Sequence, residues 1–158
     1  MGWLQRMKHK LKQACSLSIQ DWGIFTEAWL TLTWIDFTIS YLPFQHWKGW
    51  LSSLPENRGE KPPIKTSSDI SHLVWLLNAA ANNHPGKPTC LRRSLGLKKM
   101  LERRNTPVTL RIGINKDGAD LKAHAWVEHN GMVINDVHDI TSHYSPLPAP
   151  DADLLRKA

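Results

Sequence analysis

Apolar residues recur at helical spacing through most of the N-terminal two-thirds of the chain and then switch to alternation. Residues 3–16 predict a basic amphipathic helix. A longer helix runs from Gln20 to Leu42, with Trp22, Phe25, Trp29, Leu32, Ile35, Ile39 and Leu42 on one face, and Trp34, Phe37 and Tyr41 extend the apolar surface around it. A helix covered so broadly is buried, touches a partner, or lies on a membrane. Core packing is the default, and Trp22, Trp29 and Trp34 are the candidates for contact with a partner protein. Thr66, Ser67, Ser68 and Asp69 then offer caps for a helix reaching Asn83, with Ile70, Leu73, Leu76, Leu77 and Ala80 inward. His84-Pro85-Gly86 stops it. A further helix starts at Cys90 and runs to about Arg104, with Leu91, Leu95, Leu97, Met100 and Leu101 apolar and Arg92, Arg93, Lys98, Lys99, Arg103 and Arg104 mostly solvated.

The period then becomes two. Val108, Leu110, Ile112 and Ile114 predict a strand, and residues 123–136 read as a hairpin around Asn130-Gly131. A loop of His129, Asn130 and Gly131, with Gly131 in the left-handed position of a G1 bulge, pairs Glu128 with Met132, Trp126 with Ile134 and His124 with Asp136. That register places His124 and Asp136 side by side on one face, with Cβ atoms roughly 4.5–5.5 Å apart. A two-residue loop would put them on opposite faces, so the three-residue loop is the expectation. From Asp139 onward, Pro146, Pro148 and Pro150 predict an irregular tail that covers part of the sheet. The expected division is a helical N-terminal part over 1–54, a Pro-rich linker over 55–65, a core over 66–146 and a tail over 147–158.

The 158 residues suffice for one well-packed core. The net charge of +6 comes largely from Arg6, Lys8, Lys10 and Lys12 and from the cluster between Lys87 and Arg104. Such a balance favours acidic partners; a solvated helix face is the plainer explanation, and no nucleic-acid motif is present. Cys15 and Cys90 alone make no disulfide framework and suit a reducing, cytoplasmic setting. No signal peptide is expected, since Leu17-Ser18-Ile19-Gln20-Asp21 is too short and too polar for its apolar region, and no membrane span, since the most apolar run, Ala28 to Ile35, is far below ~20 residues.

Cys90, His124 and Asp136 are the candidate catalytic residues. Gly86-Lys87-Pro88-Thr89 before Cys90 puts the thiol at a helix N-terminus, where partial positive charge favours the thiolate, and an imidazolium at His124 would pair with it. Asp136 would hold the imidazole in the required tautomer. Attack of sulfur on a carbonyl then gives a thioester, which passes its acyl group to water or an amine. The Cys90 N–H is one oxyanion donor, and the second is not identifiable from the sequence. His129, His138 and His143 do not cluster with His124 at metal-ligand spacing, so no metal and no cofactor is expected.

Thr89-Cys90-Leu91-Arg92-Arg93-Ser94-Leu95, His124-Ala125-Trp126-Val127-Glu128 and Gly131-Met132-Val133-Ile134-Asn135-Asp136 together resemble the transglutaminase-like leader peptidases of lasso-peptide biosynthesis. The resemblance covers roughly residues 67–146. It implies an α+β fold: a papain/transglutaminase-like core with N-terminal helices, its cysteine helix packed on a small antiparallel sheet. It also implies removal of the leader from a ribosomally made precursor, often after a leader with penultimate threonine, with Cys90 as nucleophile, His124 as base and Asp136 as orienting acid. The implied partners are the precursor peptide, a separate leader-recognition protein of winged-helix type, and the ATP-dependent lasso cyclase that closes the product. Arg92, Arg93 and Trp126 are candidate substrate contacts. Two other readings fit the same residues: an acyl transferase that uses an amine acceptor, and a catalytically silent peptide-binding subunit.

Overall fold

The computed structural model describes residues 18–51, 66–115, 122–137 and 139–147. The expected helix over 3–16, Cys15, the Pro-rich linker over 55–65 and residues 148–158 of the tail lie outside the described residues. The first helix, α1 (Ile19–Tyr41), begins at a reciprocal cap: Asp21 N–H donates to Ser18 Oγ (3.2 Å), and Ser18 N–H donates to Asp21 Oδ2 (2.8 Å). His72 also donates to Asp21 Oδ1 at 2.7 Å. That bond, with those from Ser18, holds the Asp21 carboxyl below its ordinary value of 3.8. Its support of the helix start is therefore present above that value and lost as pH falls through the lowered one. Pro43 ends the helix.

A four-residue helix α2 (Phe44–Trp47) and a 3₁₀ turn (Lys48–Leu51) follow. Helices α3 (Ser67–Asn83) and α4 (Cys90–Glu102) match the predicted spans closely. The core is built where α1, α3 and α4 meet, from Ala28, Leu32, Ile35, Leu73, Leu77, Ala80, Leu95, Leu97 and Met100. The N-terminal helix thus shares one core with the cysteine helix. Polar contacts fasten it along its length: the Asp21–His72 hydrogen bond and the ion pairs of Glu27 with Arg104 at 2.7 Å and of Asp36 with Arg92.

Several residues expected in water are buried. Lys98 is 2% exposed and paired with Glu102, and Arg104 is buried on Glu27. Buried ions need such partners: Glu102 lies one turn from Lys98 on the same helix, and Glu27 reaches Arg104 from α1. Two members of the basic cluster, Lys98 and Arg104, are thereby neutralised inside the molecule. The reverse holds on α1: Leu30, Trp34, Phe37 and Tyr41 form an exposed apolar stripe, while Thr31 and Thr38 are buried.

The sheet has strand order β3-β2-β1-β4 and comprises β1 (Thr109–Asn115), β2 (Ala123–His129), β3 (Met132–Val133) and β4 (Tyr144–Pro146), all pairs antiparallel. Leu110 and Val127 face the helices. Trp126 lies on the other face and is covered by Val133, Ile140 and Tyr144. The tail expected to be irregular is thus ordered here: a turn of helix, α5 (Ile140–His143), leads into β4, which pairs with the free edge of β1. The unpaired backbone of that edge and the apolar ring of Trp126 are what draw it in. The whole is an α+β fold. Among the described residues, no helix is long and apolar enough to cross a membrane.

Candidate active site

Cys90 is the first residue of α4, after Thr89 in extended conformation. Thr89 makes no side-chain capping bond, and the first helical N–H to be paired is that of Arg93, on Thr89 O at 2.9 Å. The thiol therefore shares the helix start with N–H groups that the helix leaves unpaired. The segment leading to Cys90 is tied to α1. His84 is buried; its Nδ1 accepts from Gly86 N–H (3.1 Å), so its Nε2 donates to Thr33 Oγ1 (3.0 Å) on α1, and Trp29 packs its ring 5.2 Å away. A Cβ on Gly86 would come within 2.8 Å of Asp36 Oδ2 and 3.2 Å of His84, so a side chain here would have to displace the Asp36 carboxylate.

The hairpin differs from its predicted register. Asn130 and Gly131 both have positive φ (50° and 78°), which makes a two-residue type I′ loop, and His129 pairs with Met132 and Glu128 with Val133. Strict alternation would then separate His124 from Asp136. It does not, because β3 ends after Val133: Ile134 N–H still donates to Val127 O (3.0 Å), but Val127 N–H donates to the side-chain Oδ1 of Asn135 (2.7 Å). The Asn135 side chain replaces a backbone carbonyl in the ladder, the chain bends away, and Asp136 swings under His124. His124 Nε2 then lies 2.6 Å from Asp136 Oδ2, and Asp136 Oδ1 accepts from Val137 N–H at 2.8 Å. Tyr144, a residue sequence reasoning overlooks, packs its ring against the imidazole, 5.2 Å between centroids and tilted by 35°.

Ser94 ties these parts together. One turn beyond Cys90 and fully buried, it donates to Ala125 O (2.9 Å) and accepts from Asn135 Nδ2 (3.0 Å). One hydroxyl thus joins the cysteine helix, the strand of His124 and the bend that presents Asp136. Ser94→Ala leaves Asn135 Nδ2 and Ala125 O without this partner inside the protein, at a cost of about 1–3 kcal/mol. A melting curve should show that loss, together with slower chemistry at Cys90; an unchanged melting temperature would mean that the bend holds without Ser94.

Cys90, His124 and Asp136 line one cleft of about 310 Å³, with Asn78, Pro88, Arg93, Ser94 and Asn135. Such a volume is at the lower end for ligand sites. Of the three candidate substrate contacts, only Arg93 is at the cleft, with Nε donating to Pro88 O at 3.0 Å. Arg92 is instead committed to Asp36 and Ser40 of α1. Trp126 is fully buried on the outer face of the sheet, its Nε1 donating to Glu128 at 2.9 Å, so it supports the strand rather than touching a ligand. Of the three partner candidates on α1, Trp22 and Trp34 are 46% and 59% exposed, whereas Trp29 packs inward on His84.

A helix-start cysteine beside a strand that pairs histidine with a carboxylate is the arrangement of thiol acyl-transfer proteins. The chain matches the family model of the transglutaminase-like superfamily over residues 32–149, about three-quarters of its length. It belongs to that superfamily, which includes cysteine peptidases and acyltransferases. No curated protein and no solved structure matches the chain.

Proposed function

We propose that this protein is a cysteine peptidase that removes the leader from a ribosomally made lasso-peptide precursor. The observation that carries the reading is the 2.6 Å bond of His124 to Asp136 at a cleft shared with the helix-start thiol of Cys90, within a transglutaminase-like domain. The Cys-Leu-x-Arg-Ser and His-Ala-Trp-Val-Glu blocks support the narrower, lasso-specific part. With Asp136 accepting from Nε2–H, the His124 Nδ1 lone pair is left to take the thiol proton. Sulfur then attacks the carbonyl carbon at the leader junction, and the C=O π pair moves to oxygen. Collapse expels the amine of the downstream peptide, which takes the proton from His124. Water, deprotonated by the same imidazole, hydrolyses the thioester and frees the leader.

A separate winged-helix recognition protein delivers the leader, and the exposed face of α1 bearing Trp22 and Trp34 is the surface proposed for contact with it. The released peptide passes to the ATP-dependent cyclase. The test combines the chain with its recognition protein and a precursor whose leader has penultimate threonine, read by mass spectrometry with a labelled amine present. Free leader acid, absent with Cys90→Ala, supports the peptidase. Label incorporated into the leader points to amine transfer. Cleavage that persists in Cys90→Ala overturns both.

A further inference from the structure

Helix α3 buries Ile70, Leu73, Val74, Leu77, Ala80 and Ala81. Asn78 sits on the flank of that stripe, one turn after Val74 and three residues before Ala81, and is half-buried. Asparagine is a poor residue for a helix interior because its amide competes for backbone groups. Asn83, on the same helix, does this by donating to Ala79 O at 2.7 Å. Asn78 does not: among the described residues its carboxamide has no hydrogen-bond partner. It lines the cleft of Cys90 instead. Local cost without a structural return is the mark of a residue kept for function.

Among the described residues, the neighbouring polar side chains already have partners, Arg93 through its Nε alone. Ser94 and Asn135 bind each other, Asp136 holds His124 and Val137, and Arg93 is anchored to Pro88 O. The chemistry proposed for this cleft requires a second donor for the oxygen of the tetrahedral intermediate, beside the backbone N–H of Cys90. We infer that Asn78, through its side-chain N–H, is that donor. The inference rests on the acyl-transfer part of the proposed function and not on the identity of the peptide. As sulfur bonds to the carbonyl carbon, the π pair moves to oxygen, and that charge is held between the N–H of Cys90 and the Nδ2–H of Asn78. When the C=O re-forms, the leaving group departs with the electron pair and both donors are released. A neutral amide on a packed helix suits this task, since it needs no reorganisation as charge develops.

The test needs no leader. The full chain is treated with p-nitrophenyl acetate, and acetyl transfer to Cys90 is followed by intact mass and p-nitrophenolate release. Iodoacetamide alkylation of Cys90, which forms no oxyanion, is measured in parallel. Asn78→Leu and Asn78→Ala are expected to slow acetylation by about 10²–10³-fold with the alkylation rate unchanged. The pair of variants guards against a folding defect in either one. Acetylation at the wild-type rate, or a fall in both reactions together, overturns the assignment. Wild-type Cys90 that is alkylated but never acetylated overturns acyl transfer itself, and the assignment with it. Acetylation that depends on Asn78 in a protein that cleaves no leader upholds the assignment and rejects only the substrate.

Discussion

Replacing Asp136 by asparagine is expected to slow acylation of Cys90 by about 10⁴-fold with little change in melting temperature. The reason lies in the two oxygens of this carboxylate: Oδ2 accepts from His124 Nε2 at 2.6 Å, and Oδ1 accepts from Val137 N–H at 2.8 Å. A carboxamide offers one acceptor and one donor in their place. The backbone N–H of Val137 cannot shed its proton, whereas an imidazole can exchange tautomers. The amide oxygen therefore stays on Val137, its NH₂ faces His124, and the ring must accept at Nε2 and carry its proton on Nδ1. That proton then occupies the nitrogen that should receive one from the thiol. Shape and packing survive, and the base is lost. The p-nitrophenyl acetate reaction measures it, with His124→Ala as reference. Because the two residues act as a unit, the double variant should be no slower than His124→Ala alone. Near-wild-type acylation of Asp136→Asn would show that the 124–136 pair is a structural hydrogen bond only.

The same pair shows how far sequence reasoning reaches. The start of α4 is legible because its signals are local: Gly86, Pro88 and Thr89 stop one helix and open the next, which places Cys90 without tertiary information. His124 and Asp136 are found for a partly mistaken reason. Asn130-Gly131 adopts the turn that this dipeptide favours, and the expected register fails. The pair forms because Asn135 takes a ladder bond with its side chain, and no periodicity announces a side chain acting as backbone. Tyr144 is missed because the prolines around it read as irregular, although a Pro-containing segment is suited to an edge strand. Arg92 and Lys98 look solvated because their counter-charges are four residues away on the same helix, for Lys98, or fifty-six residues away on another, for Arg92. Asn78 leaves a faint signal, one polar residue amid the leucines and alanines of a helix flank.

Gly113→Val is expected to destabilise the fold by about 3 kcal/mol, a fall of roughly 10 °C in melting temperature for a chain of this size. Strand propensity alone predicts the opposite sign, since valine is favoured in strands and glycine is not. Packing decides the matter. Gly113 lies in β1 between His124 of β2 and Pro146 of β4. A Cβ here would meet two ring carbons of Trp126 at 2.8 Å and the backbone oxygen of Ser145 at 3.0 Å. Neither can yield cheaply: the indole is wholly enclosed and tied through Nε1 to Glu128, and the carbonyl belongs to the paired edge strand. Relief requires either expelling the ring or peeling β4 away, and both displace Tyr144 from its place against His124. Slower acylation should therefore accompany the lower melting temperature. Trimming the ring tests the cause, because Trp126→Leu opens the space that the new side chain needs. If the clash is with the indole, Gly113→Val should cost less in the Trp126→Leu background than in the wild type, a coupling that a double-mutant cycle reads directly. If the cost is the same in both backgrounds, the obstacle is the Ser145 carbonyl, and the damage to His124 runs through β4 rather than through the tryptophan.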